Sequence, residues 1–147
     1  MRRDAVNVSG IMVCGEVRRG TIHSVTMELT GKARELADKK NAKVSCLLFS
    51  RDLNDDPALL FRFGADRVIV VRHDLLKYFN QEIVAKLLAY IIKIYLPEIV
   101  LAPATTAGRT YLPAVAAMVH TGLTADCTGL DIDEENGLLL QTRPAIG

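Results

Sequence analysis

The chain has 147 residues, 50% of them hydrophobic and 24% charged, with a formal net charge of +1. That is the length of one ordinary domain, able to bury about 70% of its unfolded surface without disulfides or a structural metal. The near-neutral balance excludes a global electrostatic pull toward nucleic acid or an anionic membrane. No stretch approaches the roughly 20 apolar residues of a membrane-spanning helix. The cysteines Cys14, Cys46 and Cys127 lie far apart and form no C-x-x-C pair. They read as small buried hydrophobes of a cytoplasmic, reducing compartment. His23, His73 and His120 share no ligand spacing with one another or with a cysteine. Residues 1–8 carry Arg2 and Arg3 with no apolar run behind them. They read as a loose tail rather than a signal peptide, leaving 9–147 as a single domain.

Apolar runs alternate with helix-period segments along the chain. Ile11-Met12-Val13-Cys14 is the first predicted strand, and Arg18-Arg19-Gly20 a polar turn. A helix follows with Val25, Leu29, Ala33, Leu36 and Ala37 on one face. Ser24 is its expected N-cap, Glu28 places negative charge near the positive end of the helix dipole, and Lys39-Lys40-Asn41 closes it. The second strand is Val44–Phe49. A short helix over Pro57–Phe63 starts on its proline and stops at Gly64. The β-branched run Arg67–Val71 is the third strand and has the composition of one buried on both faces.

The longest helix spans Gln81–Tyr95, capped by Asn80 and ended by Pro97. Ile83, Leu87, Tyr90, Ile91 and Ile94 form one stripe on it, and Val84, Leu88, Ile92 and Tyr95 a second beside it. So wide an apolar face suggests a helix packed on a sheet and touched by a further partner. The fourth strand is Ile99-Val100-Leu101-Ala102. The next helix either begins near Thr106 and kinks at Pro113 or begins regularly at Leu112, and the first arrangement is preferred. Two strand-like runs, 123–132 and 138–143, flank Asn136-Gly137, a strong hairpin signal.

This alternation predicts an α/β domain with a doubly wound, mostly parallel five-stranded sheet of order 3-2-1-4-5 and a C-terminal antiparallel hairpin. In such a sheet the ligand crevice lies beyond the carboxyl ends of strands 1 and 4, where the order reverses. Gly15, Glu16 and residues 105–109 fall there.

Thr105-Thr106-Ala107-Gly108-Arg109 follows a strand and opens a helix. Its N–H groups, its hydroxyls and Arg109 suit an anion; equally, Thr106 caps the helix and Arg109 is solvated or pairs with a neighbouring subunit. Asp126, in a compact polar insert at a strand start, either contacts a ligand or satisfies a local turn. Neither G-x-G-x-x-G nor G-x-x-x-x-G-K-[ST] is present, and Cys14-Gly15-Glu16-Val17 stands where the first would be. Without a nucleophile elbow, paired catalytic acids or H-E-x-x-H, nothing marks an independent enzyme. No metal or iron–sulfur spacing occurs.

Taken together, residues 20–29, Gly64-Ala65-Asp66-Arg67-Val68, Pro97-Glu98-Ile99-Val100-Leu101, 104–109, 121–130 and Gln141-Thr142-Arg143-Pro144-Ala145 resemble the N-terminal domain of the electron-transfer flavoprotein alpha subunit. The resemblance covers nearly all of the chain from Ser9. It implies the adenine nucleotide alpha hydrolase-like fold. It also implies a heterodimer with a beta subunit, shuttling electrons between flavin dehydrogenases and an acceptor. The flavin adenine dinucleotide (FAD) of such alpha subunits sits mainly in a second domain, which would follow residues 143–147 and is absent here. On that footing the fragment is a scaffold without its own flavin, and Thr105, Thr106, Gly108, Arg109, Asp126 and Arg143 are candidates for cofactor or interface contacts. The cysteine-glycine-glutamate end of the first strand departs from the more aromatic end common in the family. The striped helix and Leu138-Leu139-Leu140 suggest an unfilled interface and self-association of the isolated chain. The competing reading is a free-standing nucleotide-binding module resembling universal stress proteins, which the missing glycine-rich phosphate loop disfavours.

Overall fold

The computed structural model describes residues 10–119 and, as strand backbone, 129–132 and 139–142. In chain order the elements are β1 (Ile11–Cys14), β2 (Val17–Arg18), β3 (Thr21–Ile22), α1 (Ser24–Lys40), β4 (Val44–Phe49), β5 (Arg67–Val71), α2 (Gln81–Tyr95), β6 (Ile99–Leu101), α3 (Thr106–Met118), β7 (Gly129–Ile132) and β8 (Leu139–Thr142). Two 3₁₀ turns, Pro57–Phe63 and Asp74–Leu76, flank β5.

β5, β4, β1 and β6 form one parallel sheet in that order. This is the predicted 3-2-1-4 arrangement of the first four strands. Side chains alternate across it with period two. Ile11, Val13, Val44, Cys46 and Leu48 pack beneath α1, while Met12, Cys14 and Leu47 pack beneath α2 and α3. Helices therefore cover both faces, and β1 and β4, central in the sheet, are almost wholly buried. β5 is an edge strand, and all five of its residues are half-buried. Its β-branched run, expected to be buried on both faces, reflects strand propensity more than burial.

The expected hairpin is present as β7 paired antiparallel with β8, with its Asn136-Gly137 turn outside the described residues. Among the described residues these two strands form their own sheet, so the main sheet has four strands rather than the expected five. The backbone of β7 lies beside α1, not at the β6 edge, and its hydrogen bonds go to its local partner β8.

Helix ends follow capping chemistry. Asn80 Oδ1 accepts from the N–H groups of Glu82 and Ile83 at the start of α2, as expected. Pro57 and Gly64 bound the 3₁₀ turn as expected, Gly64 at φ 115°. At α1 the cap is His23 rather than Ser24: its Nδ1 accepts from Val25 N–H at 3.1 Å, while Ser24 already has helical geometry. Glu28 falls beyond the first turn of this helix, which holds no acidic residue. The buried face of α1 is Thr26, Thr30, Ala33, Leu36 and Ala37, so Val25 and Leu29 give way to two threonines. Both threonines find internal partners. Thr26 serves the backbone of Glu16, and Thr30 donates to Thr26 O at 2.7 Å and meets Cys46 Sγ at 3.1 Å. A periodicity count cannot foresee such partners. The turn Arg18-Arg19-Gly20 closes a tight antiparallel hairpin, β2–β3, with Arg19 and Gly20 at φ 52° and 80°. Its two-residue strands are too short to show a period. α3 begins at Thr106, the preferred of the two starts, and continues through Pro113. On α2, Val84 and Leu88 of one stripe and Ile91 of the other are buried, Ile92 and Tyr95 are half-buried, and Tyr90 is 65% exposed.

The start of the β4–β5 layer is locked by one guanidinium. Arg34 donates to Asp66 Oδ2 (2.8 Å), Gly64 O (3.1 Å), Ala42 O (3.1 Å) and Asp38 Oδ1 (2.9 Å), and Asp66 Oδ2 also accepts from Val44 N–H (2.8 Å). Burial works against ionisation of Asp66, but the Val44 N–H and Arg34 outweigh it and hold the carboxyl below its ordinary 3.8. A carboxylate depressed in the folded state stabilises above its unfolded pKa and loses that contribution as pH falls through the folded value. Acid titration followed by circular dichroism should therefore show stability falling below about pH 4. Asp66→Asn should be less stable at neutral pH and show a shallower acid slope; an unchanged slope would contradict this assignment.

Candidate functional site

The site grows out of the carboxyl end of β1. Gly15 leaves the strand with its N–H donating to Leu47 O at 2.8 Å. The chain passes so close to β4 and α1 that a Cβ here would meet the side chains of Leu48 and Thr26. The next residue, Glu16, is 7% exposed. Its N–H donates to Thr26 Oγ1 (2.9 Å), and its carbonyl accepts from His23 N–H (2.8 Å) and the Thr26 hydroxyl (3.3 Å). These bonds fix the backbone, so the carboxylate points where the hairpin and α3 converge. Arg18 Nε donates to Glu16 Oε2 at 2.6 Å, and the Thr105 hydroxyl donates to Glu16 Oε1 at 2.5 Å. Charge-assisted bonds of this kind are the strong ones.

Thr105 is thereby fully engaged. It donates to Glu16 and accepts from Gly108 N–H at 3.2 Å, so Thr105, and not Thr106, is the N-cap of α3. Gly108 is required by packing: a Cβ on it would run into the carbonyl oxygen of Pro103. The positive end of α3 already faces a built-in carboxylate, the stabilising arrangement for a helix dipole. An incoming phosphate would meet that carboxylate at close range, and like charges disfavour its binding.

Gly15 and Glu16 just beyond β1, Val17 and Arg18 of β2, Phe49 at the end of β4, Phe79 before α2, Val84 of α2 and the first turns of α3 line a crevice of about 390 Å³. It lies where the predicted switch point places it. Phe79 and Tyr111 meet in it with ring centroids 6.4 Å apart at 49°. Burial, the Cys14 thiol and Glu16 all push the Tyr111 phenol upward, so it stays protonated. Burial, with Cys46 nearby, pushes the Cys14 thiol up to about 12, which makes it inert as a nucleophile. Among the described residues no group of three or more His, Cys, Asp or Glu could hold a metal ion, and no helix is long and apolar enough to cross a membrane.

Of the candidates named from sequence, Thr105 and Gly108 are structural parts of this junction, Thr106 lines the crevice, and Arg109 lies exposed on the same helical turn. Asp126 and Arg143 lie outside the described residues. The Glu16 carboxylate as the centre of the site, and the aromatic wall of Phe49, Phe79 and Tyr111, were not anticipated. The available signal was a lone acidic residue directly after the first strand at the switch point. Among the described residues, the N-terminus of α3 in this crevice faces the Glu16 carboxylate.

Gly108→Ala tests this packing. Alanine ordinarily stabilises a helix relative to glycine; here, forcing a methyl against Pro103 should cost about 1–3 kcal/mol of unfolding free energy. A neutral or stabilising result in urea denaturation would show that the junction is looser than described.

A family model described as the electron transfer flavoprotein domain matches residues 11–147. The electron transfer flavoprotein subunit alpha of Thermoanaerobacterium thermosaccharolyticum is 47% identical over 93% of this chain and 41% of its own length. That of Clostridium acetobutylicum is 40% identical over 94% of the chain and 41% of its length. The lactate dehydrogenase (NAD(+),ferredoxin) subunit LctC of Acetobacterium woodii is 43% identical over 94% of the chain and 33% of its length. The chain thus spans about two fifths of the length of the alpha subunits it matches. The resemblance read from short motifs extends over the whole matched stretch, and the chain belongs to the electron transfer flavoprotein family.

Proposed function

We propose that this chain is the scaffold and heterodimerisation domain of an electron transfer flavoprotein alpha-type subunit, working in the cytoplasm. It is a structural part of an electron carrier and not an enzyme in its own right. Its partner is a beta subunit, and the intact complex passes electrons between flavin dehydrogenases and an acceptor. The relative named as a lactate dehydrogenase subunit supports a role beside such dehydrogenases. On this reading the flavin of the intact subunit belongs mainly to a second domain, and the match, which takes in 41% of the alpha subunits' length, is compatible with one.

The observation that carries this reading is the buried Glu16 carboxylate seated at the positive end of α3. In doubly wound sheets that position receives the phosphates of a dinucleotide. A domain that fills it with its own carboxylate supports the crevice from within and leaves FAD to another part of the protein. Exposed Tyr78, Phe79 and Tyr90 add apolar surface for a partner and favour self-association when none is present.

The test combines a spectrum, a titration and a pull-down. The purified chain should be colourless, show no micromolar binding of FAD, and co-purify with a cognate beta chain as a heterodimer. A yellow protein carrying stoichiometric flavin would overturn the assignment of the cofactor elsewhere. Failure to bind the beta chain would overturn the scaffold role.

A further inference from the structure

β5 closes one edge of the main sheet, and among the described residues nothing pairs with its outer side. Val71 O accepts from Ser50 N–H on the β4 side. Backbone groups point to alternate sides along a strand. Those of Arg67, Ile69 and Val71 therefore face β4, and those of Val68 and Val70 face outward. Neither Val68 nor Val70 finds an outer partner among the described residues. Natural edges are usually blunted by proline, by lysine, by a bulge or by shortness. β5 uses none of these: it runs Arg67-Val68-Ile69-Val70-Val71 in unbroken register with β4 over five residues.

The flanks of this strand are self-complementary. Asp66 stands directly before it and Arg72 directly after it, each three residues from Ile69. Arg34 and the Val44 N–H both use Asp66 Oδ2. Oδ1 is left unengaged among the described residues, on a side chain that is 34% exposed. Arg72 is exposed and makes no ion pair among the described residues. Farther out, Phe63 (45% exposed) and Leu75 (62% exposed) lie equally far along the chain on either side of Ile69. An antiparallel copy of β5 centred on Ile69 sets Asp66 opposite Arg72 and brings the Phe63 end of one strand to the Leu75 end of the other. At the opposite edge β6 is three residues long, and its flanks, Glu98 and Ala102, offer no opposite charges.

We propose that β5 is a self-association edge, pairing antiparallel with β5 of a second copy about a two-fold axis at Ile69 and joining two four-stranded sheets into one. Such an interface is isologous, so every contact occurs twice. Val68 and Val70 of one copy exchange N–H···O=C bonds with Val70 and Val68 of the other. β-branched side chains then face one another across the join, and Asp66 and Arg72 form a cross-strand ion pair at each end, both of which stabilise antiparallel pairs. The inference deepens the self-association proposed above by naming its surface, and it rests on that part of the reading alone.

Sedimentation velocity of the full chain from about 5 to 500 μM, with amide hydrogen exchange at both ends of that range, tests it. A monomer–dimer equilibrium should appear. The amides of Val68 and Val70 should exchange more slowly at high concentration, while those of Val13 and Cys46 in the central strands stay unchanged. Val70→Pro removes an outward N–H at an edge position that accepts proline and should weaken dimerisation by roughly tenfold or more. Arg72→Glu sets like charges opposite each other at both ends and should weaken it by about fivefold, with the melting temperature of the dilute protein within a few degrees of the unsubstituted chain. It carries the test alone if the proline variant does not fold. Arg72→Lys should keep most of the dimer. A chain that stays monomeric throughout, dimerisation unchanged by the substitutions, or Val68 and Val70 amides equally protected at every concentration would each overturn the proposal. Loss of beta-chain capture in Arg72→Glu would do so too, since it would give the edge to the beta chain. A chain that dimerises through β5 yet captures no beta chain would instead overturn the scaffold role and leave this assignment standing.

Discussion

Everything that meets at the carboxyl edge of the sheet is tied to one residue. The backbone of Glu16 is held by Thr26 and His23 at the start of α1, and its carboxylate by Arg18 from the hairpin and Thr105 from the start of α3. β1 and β6 are neighbours, but the loops that leave them diverge to opposite faces of the sheet, as a switch point requires. Such a gap is held open or closed by whatever bridges it. Here the bridge is a carboxylate that is 7% exposed and whose hydrogen-bond donors include a cation. Removing one partner would leave a buried charge short of compensation, which is why such junctions resist piecemeal change.

The same junction decides what the crevice can accept. An open helix N-terminus at a switch point is a ready anion site. With the carboxylate in place it becomes a satisfied structural terminus, and the space in front of it is governed by aromatic rings. The Glu16 carboxylate stands at the switch point of this doubly wound sheet and ties the start of α3 to the end of β1.

The strand–helix alternation was plain in the sequence because each element carries its own local signal. The run Arg67–Val71, the Asn80 cap and the Pro57–Gly64 punctuation all sit where local chemistry puts them. The miscounts arose where a long-range partner overrode a local one. Thr26 and Thr30 are buried on α1 because Glu16 and Cys46 lie opposite, and no window along the helix contains that information. His23 displaced Ser24 as a cap because an imidazole nitrogen serves as well as a hydroxyl once the backbone turns one residue earlier. The crevice could be located from topology alone, since it needs only the order of strands. Its chemistry could not: Glu16 and Thr105 are 89 residues apart, and a lone glutamate after a strand matches no motif.

A double-mutant cycle on Glu16→Gln and Thr105→Val, read by urea denaturation, addresses the junction itself. Gln keeps the shape of the acid and removes its charge, and Val keeps the shape of the threonine and removes its hydroxyl. If the carboxylate–hydroxyl bond clamps the two rims of the crevice, the variants should be coupled by about 1 kcal/mol or more, the double mutant losing less than the sum of the singles. Additive losses, with no coupling beyond about 0.3–0.5 kcal/mol, would show that Glu16 and Thr105 act independently and would contradict the account.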